Sequence, residues 1–265
     1  MEFLSVPPVD GSLTAISCAS ESTCVATSSG GGIGTNTIST TNYGNSWTTA
    51  SLGPYVTLNS VSCISLGATI CYAVGRVGGT NANEVFLSGN GGISWSAVSA
   101  GDPIGSDRNL NGVSCQVALE SVRPPSFVDL CFAVGDQGAI VTNSSSGRTW
   151  TSQQTNVEPN TLANSIFSGV SCPTRGTCFA VGEGPGIVAS TNGTTWTQKY
   201  SGLGGQAISC PSTTTCFAVG TNSILANKRW HELDSSVPRG RYFVGSGGSK
   251  LPEHKHLLCR RHLDL

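Results

Sequence analysis

The sequence is poor in charged residues and, over most of its length, it lacks histidine. Charged side chains make up 11% of the 265 residues, and methionine occurs once. All four histidines lie beyond residue 226, which excludes a Ser-His-Asp or Cys-His nucleophilic mechanism for residues 1–226. No apolar run approaches the roughly 18 residues that a membrane-spanning helix needs, so the sequence also argues against a membrane span.

The charge balance and the glycine pattern narrow the function further. Residues 1–226 hold six Lys or Arg against eleven Asp or Glu, and this negative balance argues against a nucleic-acid partner. The glycine-rich stretch Gly30–Gly34 is followed by no helical pattern, so it is not a phosphate-binding loop, and we expect no cofactor. Gly, Ser, Thr and Asn dominate the composition, which favours short strands and tight turns over helices.

Paired cysteines mark five internal repeats. Each unit contains a Ser-Cys dipeptide followed by a second cysteine, as in "GVSCPTRGTCFAVGE" from Gly169 to Glu183. The second cysteine of the last four units leads into an Ala-Val-Gly tripeptide. The steps between the first cysteines are 45, 52, 57 and 38 residues. These first cysteines are Cys18, Cys63, Cys115, Cys172 and Cys210.

Each repeat is predicted to form four short strands. The segments are rich in β-branched and aromatic residues and are separated by Gly, Asn and Ser clusters. About 40 to 50 residues per four-stranded unit is the period of a propeller blade. We therefore predict an all-β fold, a β-propeller of four-stranded blades with five blades visible. The fifth unit stops matching at Ala226, before its outer strand, so the propeller is expected to be truncated.

A Gly-x-x-Trp turn in the first four units resembles the Asp-box, or BNR repeat, whose pattern is Ser/Thr-x-Asp-x-Gly-x-x-Trp. The stretches "TTNYGNSW" (Thr40–Trp47) and "SGNGGISW" (Ser88–Trp95) fit, with asparagine in the Asp position. The third copy has Ser145 in that position, and the fourth copy is one residue short. The resemblance covers about 210 residues and extends to the sialidase-like propellers and to photosystem II assembly factors of the Ycf48 and HCF136 type.

The resemblance implies a fold rather than an activity. In these families the acidic or amide side chain ties the turn between strands three and four, and the tryptophan lies between blades. The residues to which this structural role is carried over are Asn42, Gly44, Trp47, Asn90, Gly92, Trp95, Gly147, Trp150, Gly193 and Trp196.

Ten of the eleven cysteines form local pairs that flank the hairpin between strands one and two. Facing positions on antiparallel strands are close enough for a disulfide, and closing such a loop contributes roughly 2 kcal/mol. Five disulfides would imply an oxidising compartment. The alternative is reduced cysteines packed near the axis. The predicted pairs are Cys18 with Cys24, Cys63 with Cys71, Cys115 with Cys131, Cys172 with Cys178, and Cys210 with Cys216.

The last 39 residues differ in character from the repeats. Residues 227–265 hold eight Lys or Arg against four Asp or Glu, together with His231, His254, His256 and His262. A zinc site or a basic nucleic-acid tail is one interpretation, but His-x-His with one cysteine is not a zinc spacing, and we expect no metal. Read one nucleotide later, the codons allowed for this segment permit the missing Gly-x-x-Trp turn and a copy of Ser209–Thr221.

Three segments follow from these patterns. Residues 1–12 are a leader or the start of a fragment, residues 13–226 are propeller blades one to five, and residues 227–265 are an out-of-frame tail that we expect to be disordered. The start "MEFLSVPPVDGS" lacks the basic residues and the long apolar core of a signal peptide. The cysteines nevertheless favour a secreted or cell-surface location.

A candidate binding face lies at the end of the propeller that carries the loops between strands two and three. The residue five positions after each second cysteine falls there, and its charge varies while the residues before it barely change. Variable loops on a rigid scaffold commonly bind ligands, although unconstrained positions facing water would show the same pattern. The candidates are Ser29, Arg76, Asp136, Glu183 and Thr221.

The predicted function is a non-catalytic scaffold that binds a protein or a glycan outside the cytoplasm. The alternatives are a degenerate sialidase or glycoside hydrolase relative and, by family analogy alone, a photosystem-type assembly factor. A glycosidase needs two carboxylates across a cleft. Asp136 and Glu183 hold equivalent positions in neighbouring units, but nothing in the sequence distinguishes an acid from a base. The oligomeric state does not follow from these patterns.

Overall fold

The structure, a computed structural model, describes residues 7–9, 11–30, 32, 34–78, 82–99, 109–122, 125–143, 149–156, 165–184, 186–201, 204–221 and 223–227. Twenty strands and no helix are found within these ranges. The strands form five antiparallel sheets that follow one another along the chain. The described residues therefore contain no helix that could cross a membrane.

The first two sheets each contain four strands in chain order, and each sheet is called a blade below. Blade 1 consists of β1 (Leu13–Cys18), β2 (Cys24–Ser28), β3 (Thr37–Thr40) and β4 (Thr48–Ala50). Blade 2 consists of β5 (Val56–Leu66), β6 (Ala68–Val77), β7 (Ala82–Ser88) and β8 (Ser96–Ser99).

The remaining three sheets repeat this order with small variations. Blade 3 consists of β9 (Leu110–Val122), β10 (Pro125–Gly135), β11 (Ile140–Asn143) and β12 (Trp150–Ser152). The short β13 (Gln154–Thr155) adds in parallel to the outer strand of blade 4, which consists of β14 (Ile166–Ser171), β15 (Cys178–Glu183), β16 (Ile187–Ser190) and β17 (Thr195–Tyr200). Blade 5 consists of β18 (Gly205–Ser212), β19 (Thr215–Gly220) and β20 (Ser223–Asn227).

The blades are joined through their first strands, which contact one another in the order β1, β5, β9, β14 and β18. The backbones approach closely at a position that is Ala, Ser or Gly in every blade. A Cβ atom on Gly112 would lie 3.1 Å from the Cα of Gly169, and one on Gly169 would lie 3.3 Å from the Cα of Ala207. This arrangement of successive four-stranded antiparallel blades confirms the predicted all-β propeller.

The Ser-Cys dipeptide of each repeat forms the hydrogen bond between neighbouring blades. The serine Oγ of one blade accepts from the backbone N–H of the first cysteine in the next blade. The donor and acceptor pairs are Cys63 N with Ser17 Oγ at 2.9 Å, Cys115 N with Ser62 Oγ at 3.0 Å, Cys172 N with Ser114 Oγ at 3.1 Å, and Cys210 N with Ser171 Oγ at 3.0 Å.

A β-bulge in every first strand supplies a second contact between blades. The unpaired residues are Thr14, Asn59, Asn111, Ser168 and Gln206, each four positions before the first cysteine. Three of these side chains donate to a carbonyl of the next blade: Thr14 Oγ1 to Leu58 O at 2.9 Å, Asn59 Nδ2 to Leu110 O at 2.8 Å, and Asn111 Nδ2 to Phe167 O at 3.1 Å.

The bulge also explains the glycine of the Ala-Val-Gly tripeptide. Gly75, Gly135 and Gly182 pair with the residue just before the bulge. A Cβ atom at these positions would lie 2.0, 1.8 and 1.9 Å from the carbonyl oxygens of Thr57, Asn109 and Ile166, in the first strand or directly before it. No side chain fits there, so the glycine is required by the close approach of two backbones.

All five predicted disulfides are present in the structure. Each cross-links the hairpin of strands one and two of its blade, with Cα atoms 4.0 to 4.1 Å apart. In blades 2 and 3 the two strands continue beyond the cysteines. In blade 2, Leu66 pairs with Ala68 around Gly67, whose φ of +72° suits a tight turn.

The terminal blades expose apolar side chains whose equivalents are buried elsewhere. Leu13 and Ile16 in β1 are 50% and 64% exposed, and Phe217 and Val219 in β19 are 41% and 39% exposed. The residues in the same repeat positions of the inner blades are buried: Leu58, Val61, Leu110, Val113, Phe167 and Val170 in first strands, and Tyr72, Val74, Phe132, Val134, Phe179 and Val181 in second strands. In the inner blades a neighbouring blade covers these positions, whereas in blades 1 and 5 no described blade covers them.

Replacing Ser114 with alanine tests the bond between blades. The variant removes the acceptor of the Cys172 N–H, and we expect the free energy of unfolding to fall by about 1 to 2 kcal/mol, measured by urea denaturation of the oxidised protein. Ser209 occupies the same repeat position in blade 5, and its Oγ has no hydrogen-bond partner within the described ranges. Ser209→Ala is the matched control, with an expected change below about 0.5 kcal/mol. Equal losses in the two variants would contradict this assignment.

Candidate functional site

The five candidate residues lie at one end of the propeller. Each lies within two residues of the end of the second strand of its blade, and the connections between blades reach the same end. Backbone hydrogen bonds join the two sets of segments, as between Ser29 N and Ser12 O at 2.9 Å and between Thr221 N and Gly204 O at 3.1 Å. This end is called the candidate face below, and its residues are Ser29, Arg76, Asp136, Glu183 and Thr221.

Two oppositely charged side chains of the candidate face are available to a ligand. Arg76 lies one residue before the end of the second strand of blade 2, Glu183 ends the second strand of blade 4, and both residues are exposed. Neither side chain has a hydrogen bond or ion pair to another described residue. Thr221 and Ser29 are likewise exposed, so four of the five candidates present polar groups to solvent.

Asp136 differs from these residues because its carboxylate is already engaged. Oδ2 accepts from the backbone N–H of Asn109 at 3.1 Å and from its side chain Nδ2 at 2.7 Å. Oδ1 accepts from Asn111 Nδ2 at 2.9 Å. Because Asn111 is the bulge residue that also donates to Phe167 O in blade 4, Asp136 orients a contact between blades. The carboxylate of Asp136 therefore has a structural role.

Ser29 is also held within its own blade. Its Oγ lies 3.3 Å from the carbonyl oxygen of Ser12 and 3.4 Å from the backbone nitrogen of the same residue. Ser12, directly before β1, is therefore held at the candidate face. The side chain is exposed, but it ties two backbone segments together.

Sequence reasoning missed three residues next to the candidate face. Asn109 and Asn111 hold Asp136, and they belong to a segment that varies between repeats, so no repeat pattern marks them. Glu84 lies in β7 next to the loop between strands two and three, and desolvation by burial raises the pKa of its carboxyl. Among the described residues no group of three or more His, Cys, Asp or Glu side chains could hold a metal ion.

The opposite end of the propeller carries the cysteine loops and the turns between strands three and four. In blade 1 the Thr40 hydroxyl donates to Asn42 Oδ1 at 3.0 Å and accepts from Gly44 N at 3.0 Å, while Asn42 Oδ1 also accepts from Ser46 N. Blade 2 has the same hydrogen bonds, between Ser88, Asn90, Gly92 and Ser94. In blade 4, Ser190, Asn192 and Gly193 make a version that is one residue shorter. Gly147 of unit three lies outside the described residues.

In blades 2, 3 and 4 the tryptophan after the turn packs against the preceding blade. Trp150 makes an edge contact with Tyr72 at 5.8 Å between ring centroids, and Trp196 makes one with Phe132 at the same distance. Trp95 donates its Nε1–H to Thr37 Oγ1 in blade 1 at 3.1 Å. Trp47, in blade 1, is half-buried.

Comparison with known proteins supports the fold. No protein-family model matches the sequence, and no curated protein matches it. Among solved structures, Ycf48 from Cyanidioschyzon merolae has a TM-score of 0.57 at 16% identity, covering 90% of this chain and 73% of that one. An ancestral GH74 enzyme has a TM-score of 0.56 at 15% identity, and the Niastella koreensis GH74 enzyme one of 0.53 at 18%.

The two GH74 enzymes are much longer than the region they share with this protein. The matches cover 84% and 80% of this chain but 30% and 35% of the ancestral and Niastella koreensis enzymes. At such identities the likeness shows the fold alone. The class of protein defined by the fold is thus a β-propeller, cross-linked by five disulfides, and five disulfides indicate an oxidising environment.

Replacing Asp136 with alanine separates a structural role from a binding role. The variant leaves three N–H donors of Asn109 and Asn111 without their acceptor, so we expect the free energy of unfolding to fall by about 2 kcal/mol. Glu183→Ala, at the equivalent position of the next blade, is the control and should change stability by less than about 0.5 kcal/mol. Urea denaturation of both variants gives the comparison, and a stable Asp136→Ala protein would contradict the structural role.

Proposed function

We propose that this protein is a non-catalytic scaffold outside the cytoplasm that binds a protein or glycan ligand through the candidate face. The observation that carries the proposal is the placement of Arg76 and Glu183. Both are exposed charges without partners among the described residues, at the same repeat position of blades whose backbones are fixed by disulfides and by bonds between blades. Rigidly placed polar groups on variable loops are suited to ligand recognition.

The proposal also covers the turns between strands three and four, the location of the protein and the assembly-factor alternative. We infer that the turns at Thr40, Ser88 and Ser190 are Asp-box turns, which the shared pattern of Ser or Thr, Asn and Gly hydrogen bonds supports. A secreted or cell-surface location is supported by the disulfides. The likeness to Ycf48 concerns the fold, so an assembly-factor role has no further support here.

The hydrogen bonds of the Asp136 carboxylate argue against the enzyme alternative. A sialidase or glycoside hydrolase relative that used Asp136 and Glu183 would need both carboxylates free to act as acid, base or nucleophile. Both oxygens of Asp136 accept hydrogen bonds from asparagine side chains, and Oδ2 also accepts from a backbone N–H. No observation of the described residues favours hydrolysis.

Binding to an immobilised glycan array and to a displayed peptide library tests the proposal. We expect the oxidised protein to select a glycan or peptide class, without sugar release, and Glu183→Lys to weaken that binding at least about tenfold through charge reversal. Glu21→Lys makes the same substitution at an exposed residue of the cysteine loop, at the other end of blade 1, and should have no effect. Absence of binding by the unmodified protein, or equal losses in both variants, would contradict the proposal.

We also propose the division into a leader (1–12), blades (13–226) and an out-of-frame tail (227–265). The exposed apolar sides of Leu13, Ile16, Phe217 and Val219 support a further blade, because their equivalents are covered by a neighbour. Residues 228–265 lie outside the described residues. Resequencing the DNA across codons 226 to 228 and comparing it with an intact relative is the test. An extra or missing nucleotide is expected there, and agreement of the two reading frames would overturn the tail assignment.

A further inference from the structure

Comparing the repeats with one another reveals a cluster of departures between blades 2 and 3. The residue after the second cysteine is phenylalanine in units three, four and five, but it is Tyr72 in unit two. The ring of Tyr72 packs on Trp150 with an interplanar angle of 74°, and Phe132 packs on Trp196 at 72°. The packing is therefore the same, and the hydroxyl is an addition that packing does not require.

The second departure is Asn143, at the end of the third strand of blade 3. In the other described turns this position is Thr40, Ser88 or Ser190, whose hydroxyl accepts from a glycine N–H of the turn. The Asn143 side chain instead accepts from Cys131 N at 2.7 Å through Oδ1 and donates to Asp129 Oδ2 at 3.0 Å through Nδ2.

The third departure is Asp129, which lies on the hairpin extension that only unit three carries at this length. The residue is 8% exposed. Its Oδ2 accepts from the Tyr72 hydroxyl and from Asn143 Nδ2, and its Oδ1 has no partner among the described residues. Burial and the adjacent Asp129 raise the pKa of the Tyr72 hydroxyl well above its usual range, so the hydroxyl remains a donor to the carboxylate.

Tyr72 and Asp129 line a pocket of about 380 Å³ between blades 2 and 3. Its apolar walls are Ile70, Leu87 and Val98, and its polar part is Asp129, Tyr72 and Ser96, with Ala97 and Gly89 also in the lining. The pocket lies at the end with the cysteine loops, opposite the candidate face. The carboxylate of Asp129 thus has one oxygen that accepts no hydrogen bond from the described residues, and a cation or hydrogen-bond donor in the pocket can bind it.

We propose that this pocket binds the basic side chain of a lysine or arginine from a partner peptide. The aliphatic stem lies against Ile70, Leu87 and Val98, and the charged head donates to Asp129 Oδ1. Long basic side chains combine these two properties, since their stems pack on apolar surface while the head stays hydrogen-bonded. This site is separate from the candidate face and does not depend on it.

The test uses the full oxidised chain and two peptides that differ only in charge. Acetyl-Gly-Lys-Gly-amide should bind in a titration followed by nuclear magnetic resonance, with shifts of the Tyr72 and Val98 amides. The same peptide with norleucine in place of lysine keeps the stem, loses the charge, and should bind at least about tenfold more weakly. Equal binding of both peptides, or binding of neither at millimolar concentration, would overturn the proposal.

Two variants locate the binding. Asp129→Asn keeps an acceptor for the Tyr72 hydroxyl and removes the charge, so we expect at least a tenfold loss of lysine-peptide binding. Ala97→Lys leaves Asp129, Tyr72 and Asn143 intact and places a basic side chain in the pocket lining, which should block the peptide even if Asp129→Asn folds poorly. Glu21→Lys, at an exposed residue of the blade 1 cysteine loop that does not line the pocket, should leave this binding unchanged. Undiminished binding in folded Asp129→Asn and Ala97→Lys proteins would assign Asp129 a purely structural role.

Discussion

The structure depends on how the first strands of neighbouring blades satisfy their backbone groups without forming a ladder. Strand edges with unpaired N–H groups are costly when buried. Here a serine hydroxyl accepts the N–H of the next blade's cysteine, and a bulge side chain donates to a carbonyl of that blade. Both contacts require small residues between them, because the backbones of Gly112 and Gly169 nearly touch. The disulfide next to each serine then fixes the hairpin that presents it, so the cross-link and the contact between blades reinforce each other.

Much of the fold could be predicted from the repeats, because the spacing of the cysteines and of the Gly-x-x-Trp turns indicates the blades. The paired cysteines, the strand order and the turns at Thr40 and Ser88 follow from residues that are close in sequence. The bulge at Asn59 and Asn111 could not be predicted, since the position is Thr, Asn, Ser or Gln and its meaning appears only when the first strand pairs with the second. The engagement of Asp136 was missed for the same reason: its partners, Asn109 and Asn111, lie more than twenty residues earlier and carry no pattern of their own.

On the candidate face, residues at the same repeat position have different roles. Asp136 and Glu183 are equivalent in sequence, yet one orients a bulge asparagine and the other reaches solvent. In a repeat array each unit contacts mainly its neighbours, so a change in one blade can be accommodated by the next without altering the rest. At this repeat position one charged side chain, Asp136, holds a contact between blades, and another, Glu183, is exposed to solvent. The contacts of each side chain distinguish the two roles.

The same reasoning gives weight to the cluster of Tyr72, Asp129 and Asn143. A single departure from a repeat is expected from drift, and it carries no argument. Three departures in two blades that meet at one carboxylate are different, because each would be unfavourable alone: a buried phenol, a buried carboxylate and an amide all need hydrogen-bond partners. Among the described residues they satisfy one another except at Asp129 Oδ1, and Asp129 lines the pocket. A carboxylate that lines a pocket and has one oxygen without a partner among the described residues is suited to binding a basic group.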